Sequence, residues 1–132
     1  MSAYAFSIRL DAGRNVVYMT QEGHAGRDDL LRMRDAYLRT LDQVRPGWVL
    51  VHDQRRVESF TDEALEVGKE LVAITNERGA AKVVRIAPEQ LATRTRTTRV
   101  LVTARARYES LRVGTPEEAE QALADHFAAS AG

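Results

Sequence analysis

The 132-residue sequence contains no cysteine, and this absence removes several chemistries together. Without a thiol there is no disulfide framework, no thiolate nucleophile, no iron–sulfur cluster and no cysteine-type zinc site. Only 3 prolines and 8 glycines interrupt a chain that is 44% hydrophobic and 29% charged, which is the composition of a folded protein. At roughly 100–200 residues per domain, the length predicts one domain over residues 1–132.

The chain also lacks an excess of either charge, because 19 Lys and Arg residues balance 19 Asp and Glu residues. A molecule without net charge has no overall field that would draw it onto nucleic acid or an anionic membrane. No apolar run reaches the ~18 residues of a membrane-spanning helix, and the first residues lack the basic segment and apolar block of a secretory signal. We therefore expect a soluble cytoplasmic protein.

Hydrophobic periodicity predicts a hairpin and a helix in the first third of the chain. Apolar residues alternate over residues 4–10, and β-branched and aromatic residues return over 15–20 after a turn at 11–13. After the glycine-rich residues 23–26, apolar side chains recur at three- and four-residue steps over 30–44, as on one face of a helix. We expect the first strand to lie at a sheet edge, where unpaired backbone favours a homodimer.

The rest of the sequence alternates between short strands and helices. Residues 48–52 are apolar on both faces, which is typical of a central strand covered by helices, and 82–86 and 109–113 are predicted as further strands. A helix starts at Thr61 and ends before Gly79, and another starts with Thr115 as its cap.

Residues 89–107 fit either a strand or a helix. Their threonines and valines suit a strand, whereas Leu91, Thr95, Thr98 and Val102 share one helical stripe. Two consecutive parallel strands need a crossover of about a dozen residues or more, so we predict a helix. The resulting order ββαβαβαβα predicts an α/β fold, a two-layer sandwich in which an N-terminal β-hairpin is followed by βα units.

The sequence nominates no catalytic centre. Its histidines, His24, His52 and His126, fall in different elements, and no two have the spacing that places metal ligands on one helix face. No serine lies in a G-x-S-x-G motif and no glycine run matches a phosphate-binding loop. We expect no enzymatic activity, no cofactor and no metal, and we interpret His52 as a partly buried strand residue that is hydrogen-bonded to backbone.

Six arginines between residues 94 and 112 make one surface locally basic. One interpretation is a solvated helix face that pairs with the acidic residues at 117–120. The other is a site for an anion or a phosphate-bearing lipid, for which Arg94, Arg96 and Arg99 are the candidates. Tyr108 is the single aromatic residue of this segment, which argues against nucleic acid, while an acidic protein surface fits as well.

The segment VHDQRRVESFTDEALEVGKEL, which joins the third strand to the second helix, carries a resemblance to a known family. Asp53 at the strand end, the apolar Val57 and residues 61–65 at the helix start resemble the signature loop of the STAS superfamily, the anti-anti-sigma-factor fold. The element order and the segments KVVRIAP, YESLRV and TPEEAEQAL are similar to its SpoIIAA-like branch over residues 4–127. The resemblance implies a non-catalytic bacterial regulator that works by protein–protein interaction.

The chain departs from this family at the residue that signalling members phosphorylate. In those members the first serine of the loop accepts phosphate, which breaks binding to an anti-sigma kinase. This sequence has Asp62 at that position, between Thr61 and Glu63. A carboxylate is not a substrate for a serine kinase, so the resemblance implies a switch that is locked or has moved to Ser59 or Thr61.

Two interpretations of this segment stay open. Thr61 as an N-cap, with Asp62 and Glu63 in the first turn, is what any helix start favours. The resemblance instead implies a partner-binding loop over residues 53–65. Its candidate contact residues are Asp53, Arg55, Arg56, Ser59, Thr61, Asp62 and Glu63.

An alternative function is a binding site for a small apolar or anionic lipid-like ligand, as the resemblance to lipid-transfer relatives implies. The residues that could line such a pocket are Tyr37, Trp48, Leu50 and Phe60, with the arginine cluster holding an anionic head group. The same four side chains would equally well pack the core.

Overall fold

The structure, a computed structural model, describes residues 2–131. Its strands are β1 (Ala5–Asp11), β2 (Val16–Ala25), β3 (Val49–Phe60), β4 (Lys82–Ile86) and β5 (Glu109–Val113). Its helices are α1 (Arg27–Leu41), α2 (Asp62–Glu77), α3 (Leu91–Ala104) and α4 (Pro116–Ala131). This order confirms the predicted α/β fold and the helical interpretation of residues 89–107.

The five strands form one mixed sheet in the order β1-β2-β3-β4-β5. β1 and β2 pair antiparallel as the predicted hairpin, and every later neighbour is parallel. Strand order follows chain order, so α1, α2 and α3 each carry the chain one position across the sheet. β1 lies at the edge, as predicted, and within residues 2–131 no strand pairs with its outer side. The homodimer expected at that edge stays a prediction.

Alternate residues of the central strands face opposite sides of the sheet, and both sides are covered. Val17, Leu50 and Val83 belong to a core that also contains side chains of α1 and α2. On the other face α4 packs its small inner side chains against the sheet. The residues of that second cluster are Val16, Val49, Val51, Val84, Ile86, Ala119, Ala122 and Leu123. The predicted double cover of the third strand is therefore confirmed.

Side-chain caps fix where three of the helices begin. The Thr61 hydroxyl accepts a hydrogen bond from the backbone N–H of Ala64 at 3.1 Å. The Thr115 hydroxyl accepts from the N–H of Glu118, also at 3.1 Å. At α1 the Asp29 carboxylate accepts from the N–H of Gly26 at 2.9 Å. These short-range bonds satisfy donors that the helix itself cannot pair, which is why the sequence predicted these starts well.

Two segments that the sequence did not identify as strands belong to strands. Residues 23–25 extend β2 and residues 53–60 extend β3, and the two extensions pair in parallel up to Phe60. The expectation that residues 53–65 form a loop is therefore wrong, because Thr61 alone separates β3 from α2. Register shifts in β2 break the pairing, and the buried residues of the β3 extension, Gln54, Val57 and Phe60, recur every three residues. That spacing hides the strand from a search for alternation.

The predicted stripe of α3 lies on its solvent side. Leu91 is 66% exposed and Val102 is 74% exposed, whereas Thr93 and Thr97 are buried. The buried hydroxyls are satisfied by backbone carbonyl oxygens, since Thr93 donates to that of Glu58 at 2.9 Å and Thr97 to that of Arg94 at 2.9 Å. Hydrogen-bonded threonine can replace an apolar side chain on an inner face, so hydrophobic periodicity fails in this helix.

The orientation of α3 can be tested with the same substitution on each of its sides. Val102→Lys should change the free energy of unfolding by no more than about 0.5 kcal/mol, because the side chain stays in solvent. Thr97→Lys should destabilise the protein by about 1–3 kcal/mol, since a longer side chain is forced into a packed interface. Urea unfolding of both variants measures the difference. Equal effects would contradict this orientation.

Candidate ligand-binding site

A cavity of about 90 Å³ lies between the sheet and the helices α2 and α3. Its helical wall is largely apolar and includes Leu65, Leu71, Val72, Val100 and Leu101. Its floor is the inner face of the sheet and carries polar side chains. These are Gln21 on β2, His52 and Gln54 on β3, and Arg85 on β4.

The polar floor contains a short hydrogen-bond chain. The Gln21 side-chain nitrogen donates to the Tyr4 hydroxyl at 2.7 Å, so the Gln21 Oε1 atom is free to accept. It accepts from the Nε2 atom of His52 and, at 3.4 Å, from the Nε2 atom of Gln54. Because Gln21 accepts from the ring, the Nε2 atom of His52 carries the proton.

His52 is a neutral residue in this environment. Burial in the cavity floor lowers its pKa to about 3, and the positive charge of Arg85 acts in the same direction. Arg85 stands directly beside it, since these two residues are partners in the register of β3 and β4. The expected hydrogen bond of His52 to backbone is replaced by the bond to the Gln21 side chain.

Arg85 is a buried cation without a counterion. Its residue is 8% exposed, its Nε atom has no hydrogen-bond partner, and no carboxylate within residues 2–131 forms an ion pair with it. Burial lowers its pKa, and the neighbouring Arg112 lowers it further. Tyr108 also lines the cavity, and burial raises its pKa to about 12, so it supplies no negative charge near neutral pH.

Gln54 is the second residue of the cavity floor with a buried polar atom that lacks a hydrogen-bond partner. The residue is 5% exposed, and its Oε1 atom has no hydrogen-bond partner. A buried polar atom without a partner costs about 1–3 kcal/mol, and a buried charge costs more. These two groups on one cavity floor make it the candidate ligand-binding site among the described residues.

The predicted contact residues at the start of the β3 extension satisfy one another. The Arg55 guanidinium donates to both oxygens of the Asp53 carboxylate, with the closer pair of atoms at 2.9 Å. Burial alone would raise the pKa of Asp53, but the hydrogen bonds from Arg55 outweigh it and the pKa is lowered. Asp53 and Arg55 are therefore paired with each other, whereas Arg56 is exposed to solvent.

The contact residues nearer α2 divide into bonded and free groups. Ser59 is hydrogen-bonded to the Nδ1 atom of His24, and the Thr61 hydroxyl caps α2. The Asp62 side chain is 92% exposed and pairs with Arg96 of α3. Glu63 is exposed as well. The predicted outward orientation of the acidic first turn is confirmed by geometry, while phosphorylation of Ser59 or Thr61 stays a prediction.

The three arginines predicted as an anion site do not point to one place. Arg96 donates to the carbonyl oxygen of Phe60 at 2.7 Å and pairs with Asp62, so its charge is engaged at the start of α2. At 100° per residue, Arg99 leaves the helix near the direction of Arg96, and Arg94 leaves on the opposite side. The buried cation that lacks a partner is Arg85, which the sequence analysis assigned to a strand and to no site.

Of the four residues predicted to line a ligand pocket, three line the cavity. Tyr37, Leu50 and Phe60 contribute to its walls. Trp48 does not; it is buried in the core, where its Nε1 atom donates to the carbonyl oxygen of Arg78 at 2.9 Å. Arg85 and Gln54 were missed. The signal for Arg85 was present in the strand KVVRI, because an arginine two residues from an inward-facing valine must also face inward.

Metal-binding clusters and membrane-spanning helices are both absent from residues 2–131. No group of three or more histidine, aspartate or glutamate side chains is arranged to hold a metal ion in this part of the chain. Over the same residues, no helix combines the length and the apolar character that crossing a membrane requires.

The neutral state of His52 makes stability depend on pH in a defined direction. The folded-state pKa of about 3 lies below the ordinary value of 6.5, so the unfolded chain binds the extra proton first. The stabilisation that results from this pKa shift is complete above pH 6.5. As the pH falls from 6.5 toward 3, the free energy of unfolding decreases by up to about 1.4 kcal/mol per pH unit. His52→Gln removes this titration. Urea unfolding at pH 7 and pH 5 should show a larger loss for the unsubstituted protein, and parallel losses would contradict the assignment.

Comparison with known proteins supports the fold. No model of a known protein family matches the chain, and no curated protein matches it either. Among solved structures, the chain is similar to an uncharacterised protein of the DUF3478 family from Shewanella loihica PV-4, which is described as having a SpoIIAA-like fold. The two chains are 15% identical, the match covers 93% of this chain and 97% of that chain, and the TM-score is 0.72. The protein therefore has the SpoIIAA-like fold that the sequence resemblance predicted.

Proposed function

We propose that this protein is a non-catalytic binding protein that holds a small anionic ligand with an apolar body between its sheet and the helices α2 and α3. The observation that carries the proposal is Arg85, a buried cation that lines the cavity and has no counterion within residues 2–131. A ligand carboxylate would provide that counterion, and the leucines and valines of the helical wall would contact the ligand body.

The size of the cavity limits the ligand to a few carbon atoms. An engineered apolar cavity of about 150 Å³ holds benzene, so the apolar part of a ligand held in about 90 Å³ is smaller than a benzene ring, such as a chain of three carbon atoms whose carboxylate lies at Arg85. The lining residues Gly68, Leu71 and Leu101 are partly exposed, so the wall between α2 and α3 is thin at this point. A short-chain carboxylate fits this volume, and a long acyl chain would require α2 and α3 to separate.

The protonation state of His52 favours binding over catalysis. A general base works best when its pKa lies near the working pH, and a histidine with a pKa of about 3 is a weak base. Its Nε2 proton is also engaged by Gln21. The cavity residue that most resembles a catalytic group therefore acts as a fixed neutral donor in a structural chain.

The proposal is tested with butyrate as the probe and two arginine variants. Butyrate should stabilise the unsubstituted protein by about 1.4 kcal/mol at ten times its Kd, while butan-1-ol and sodium chloride at equal concentration should not. Arg85→Met should abolish this effect and, without ligand, raise the free energy of unfolding by about 1–3 kcal/mol, because a buried unpaired charge is removed. Thermal and urea unfolding measure both quantities.

Arg112→Met is the matched control, since Arg112 is the register partner of Arg85 on β5 but is exposed. It should retain the response to butyrate. Stabilisation of Arg85→Met by butyrate would contradict the proposed anchor. Native mass spectrometry of gently desalted protein supplies a second measurement, because a small acid that co-purifies with the unsubstituted protein should be missing from Arg85→Met.

The surface at the start of α2 supports a second candidate function, docking to a protein partner in regulation. Phe60 and Ala64 line the cavity, while Asp62 and Glu63 of the same turn are exposed. The same short stretch of backbone therefore carries both cavity-lining residues and the two exposed carboxylates. In a regulator of this kind, a ligand bound in the cavity would change how the carboxylates contact a protein partner.

Charge reversal at Glu63 tests the docking candidate with little risk to the fold, because within residues 2–131 no ion pair involves this side chain. Glu63→Lys should reduce the amount of a partner retained from native lysate at least several-fold and leave the Tm within a few degrees. Glu77→Lys, at the other end of α2, is the matched control. Identical retention by both variants would remove the candidate.

A further inference from the structure

The Oε1 atom of Gln54 is not explained by a simple carboxylate ligand. It lies on the cavity floor without a partner, and an acyl chain laid over it would leave it unpaired. A carboxylate would satisfy Arg85 but would offer Gln54 only another acceptor. The site therefore has a requirement for a hydrogen-bond donor in addition to its requirement for an anion.

From this pair of unmet requirements we infer that the ligand is a short-chain hydroxycarboxylate, whose carboxylate binds Arg85 and whose hydroxyl donates to the Oε1 atom of Gln54. The inference rests on the proposed function, because it names the chemical class of ligand for the same cavity. It adds a specificity-determining residue, Gln54, that a site for plain carboxylates would not need.

The orientation of the Gln54 amide is fixed by its neighbours. Its Nε2 atom donates to the Oε1 atom of Gln21, which already accepts from His52 and whose own nitrogen donates to Tyr4. If the Gln54 amide were rotated by half a turn, its Oε1 atom would face the Oε1 atom of Gln21, and neither oxygen could donate a hydrogen bond. The Oε1 atom of Gln54 must therefore stay toward the cavity, where it can only accept a hydrogen bond.

The spacing of the two groups suits one small molecule. Arg85 is level with His52 across β3 and β4, and Gln54 is two residues further along β3 on the same polar floor. From a strand separation of about 4.8 Å and a rise of about 3.3 Å per residue, the α-carbons of Arg85 and Gln54 lie about 8 Å apart. Both residues line the cavity, where a carboxylate and a hydroxyl one or two carbons apart can meet them.

Water is the competing partner for Gln54. The cavity, at about 90 Å³, is large enough to hold water, and a water molecule could donate to the Oε1 atom. Water leaves the charge of Arg85 uncompensated, so it explains one requirement and not the other. If water serves Gln54 even when an acid is bound, the protein will not distinguish acids with a hydroxyl from acids without one.

The experiment compares dissociation constants for butyrate and for 2- and 3-hydroxybutyrate, each enantiomer separately, by calorimetry. For the unsubstituted protein, one hydroxy acid should bind about tenfold more tightly than butyrate, which is the contribution of one buried hydrogen bond. In Gln54→Leu, which has a side chain of similar size without the acceptor, this preference should disappear while butyrate affinity is kept or increased. Gln54→Met provides the same comparison if the leucine variant folds poorly.

The outcomes separate the inference from the proposed function. Equal binding of butyrate and all hydroxybutyrates by the unsubstituted protein would overturn the inference, and the proposed anchor at Arg85 would stand. A hydroxy-acid preference that survives in Gln54→Leu would overturn the role of Gln54. If none of these acids binds at millimolar concentration, the inference and the proposed function both fail.

Discussion

The charge of Arg85 is the constraint on which the arrangement of the site depends. It sits on β4, between β3 and the edge strand β5, in a strand that is buried along its whole length, and no acidic side chain within residues 2–131 compensates it. Removing a guanidinium from water without a partner is costly, and no neighbouring group among the described residues offsets this cost. Burial lowers the pKa of His52 and the charge of Arg85 lowers it further, so the histidine stays neutral. Burial keeps Tyr108 protonated even though the charge of Arg85 acts in the opposite direction on its pKa.

The packing on the two faces of the sheet explains how the fold tolerates the free-energy cost of burying Arg85. The face under α4 is a uniform apolar cluster of valines, isoleucine and small helical residues. The opposite face has an apolar core beneath α1, and beneath α2 and α3 it carries polar side chains from β2, β3 and β4. Stability comes from the first two regions, so the third can carry unpaired polar groups. Proteins commonly concentrate such local violations of good packing at functional sites.

Local signals made much of the fold predictable from sequence. The caps of α2 and α4, the positive-φ Gly79 and the five residues of β4 depend on neighbours within a few positions, and these predictions hold. The β2–β3 extension and the inner face of α3 depend on partners far along the chain, namely backbone pairing and the carbonyl oxygen of Glu58 that receives Thr93. The polar floor of the cavity was missed for the same reason: whether Arg85 and Gln54 have partners is decided by three separate elements.

The contacts of α3 connect the cavity to the exposed end of α2. Arg96 donates to the carbonyl oxygen of Phe60 and pairs with Asp62, so α3 holds the junction between β3 and α2 from outside. Phe60 itself lines the cavity, and Thr97, the residue after Arg96, lines it from the helical side. A molecule bound between α2 and α3 therefore contacts Phe60 and Thr97, which lie beside the Arg96–Asp62 pair. Any change in the separation of the two helices must alter the Arg96–Asp62 pair, because a guanidinium and a carboxylate interact strongly only near contact distance.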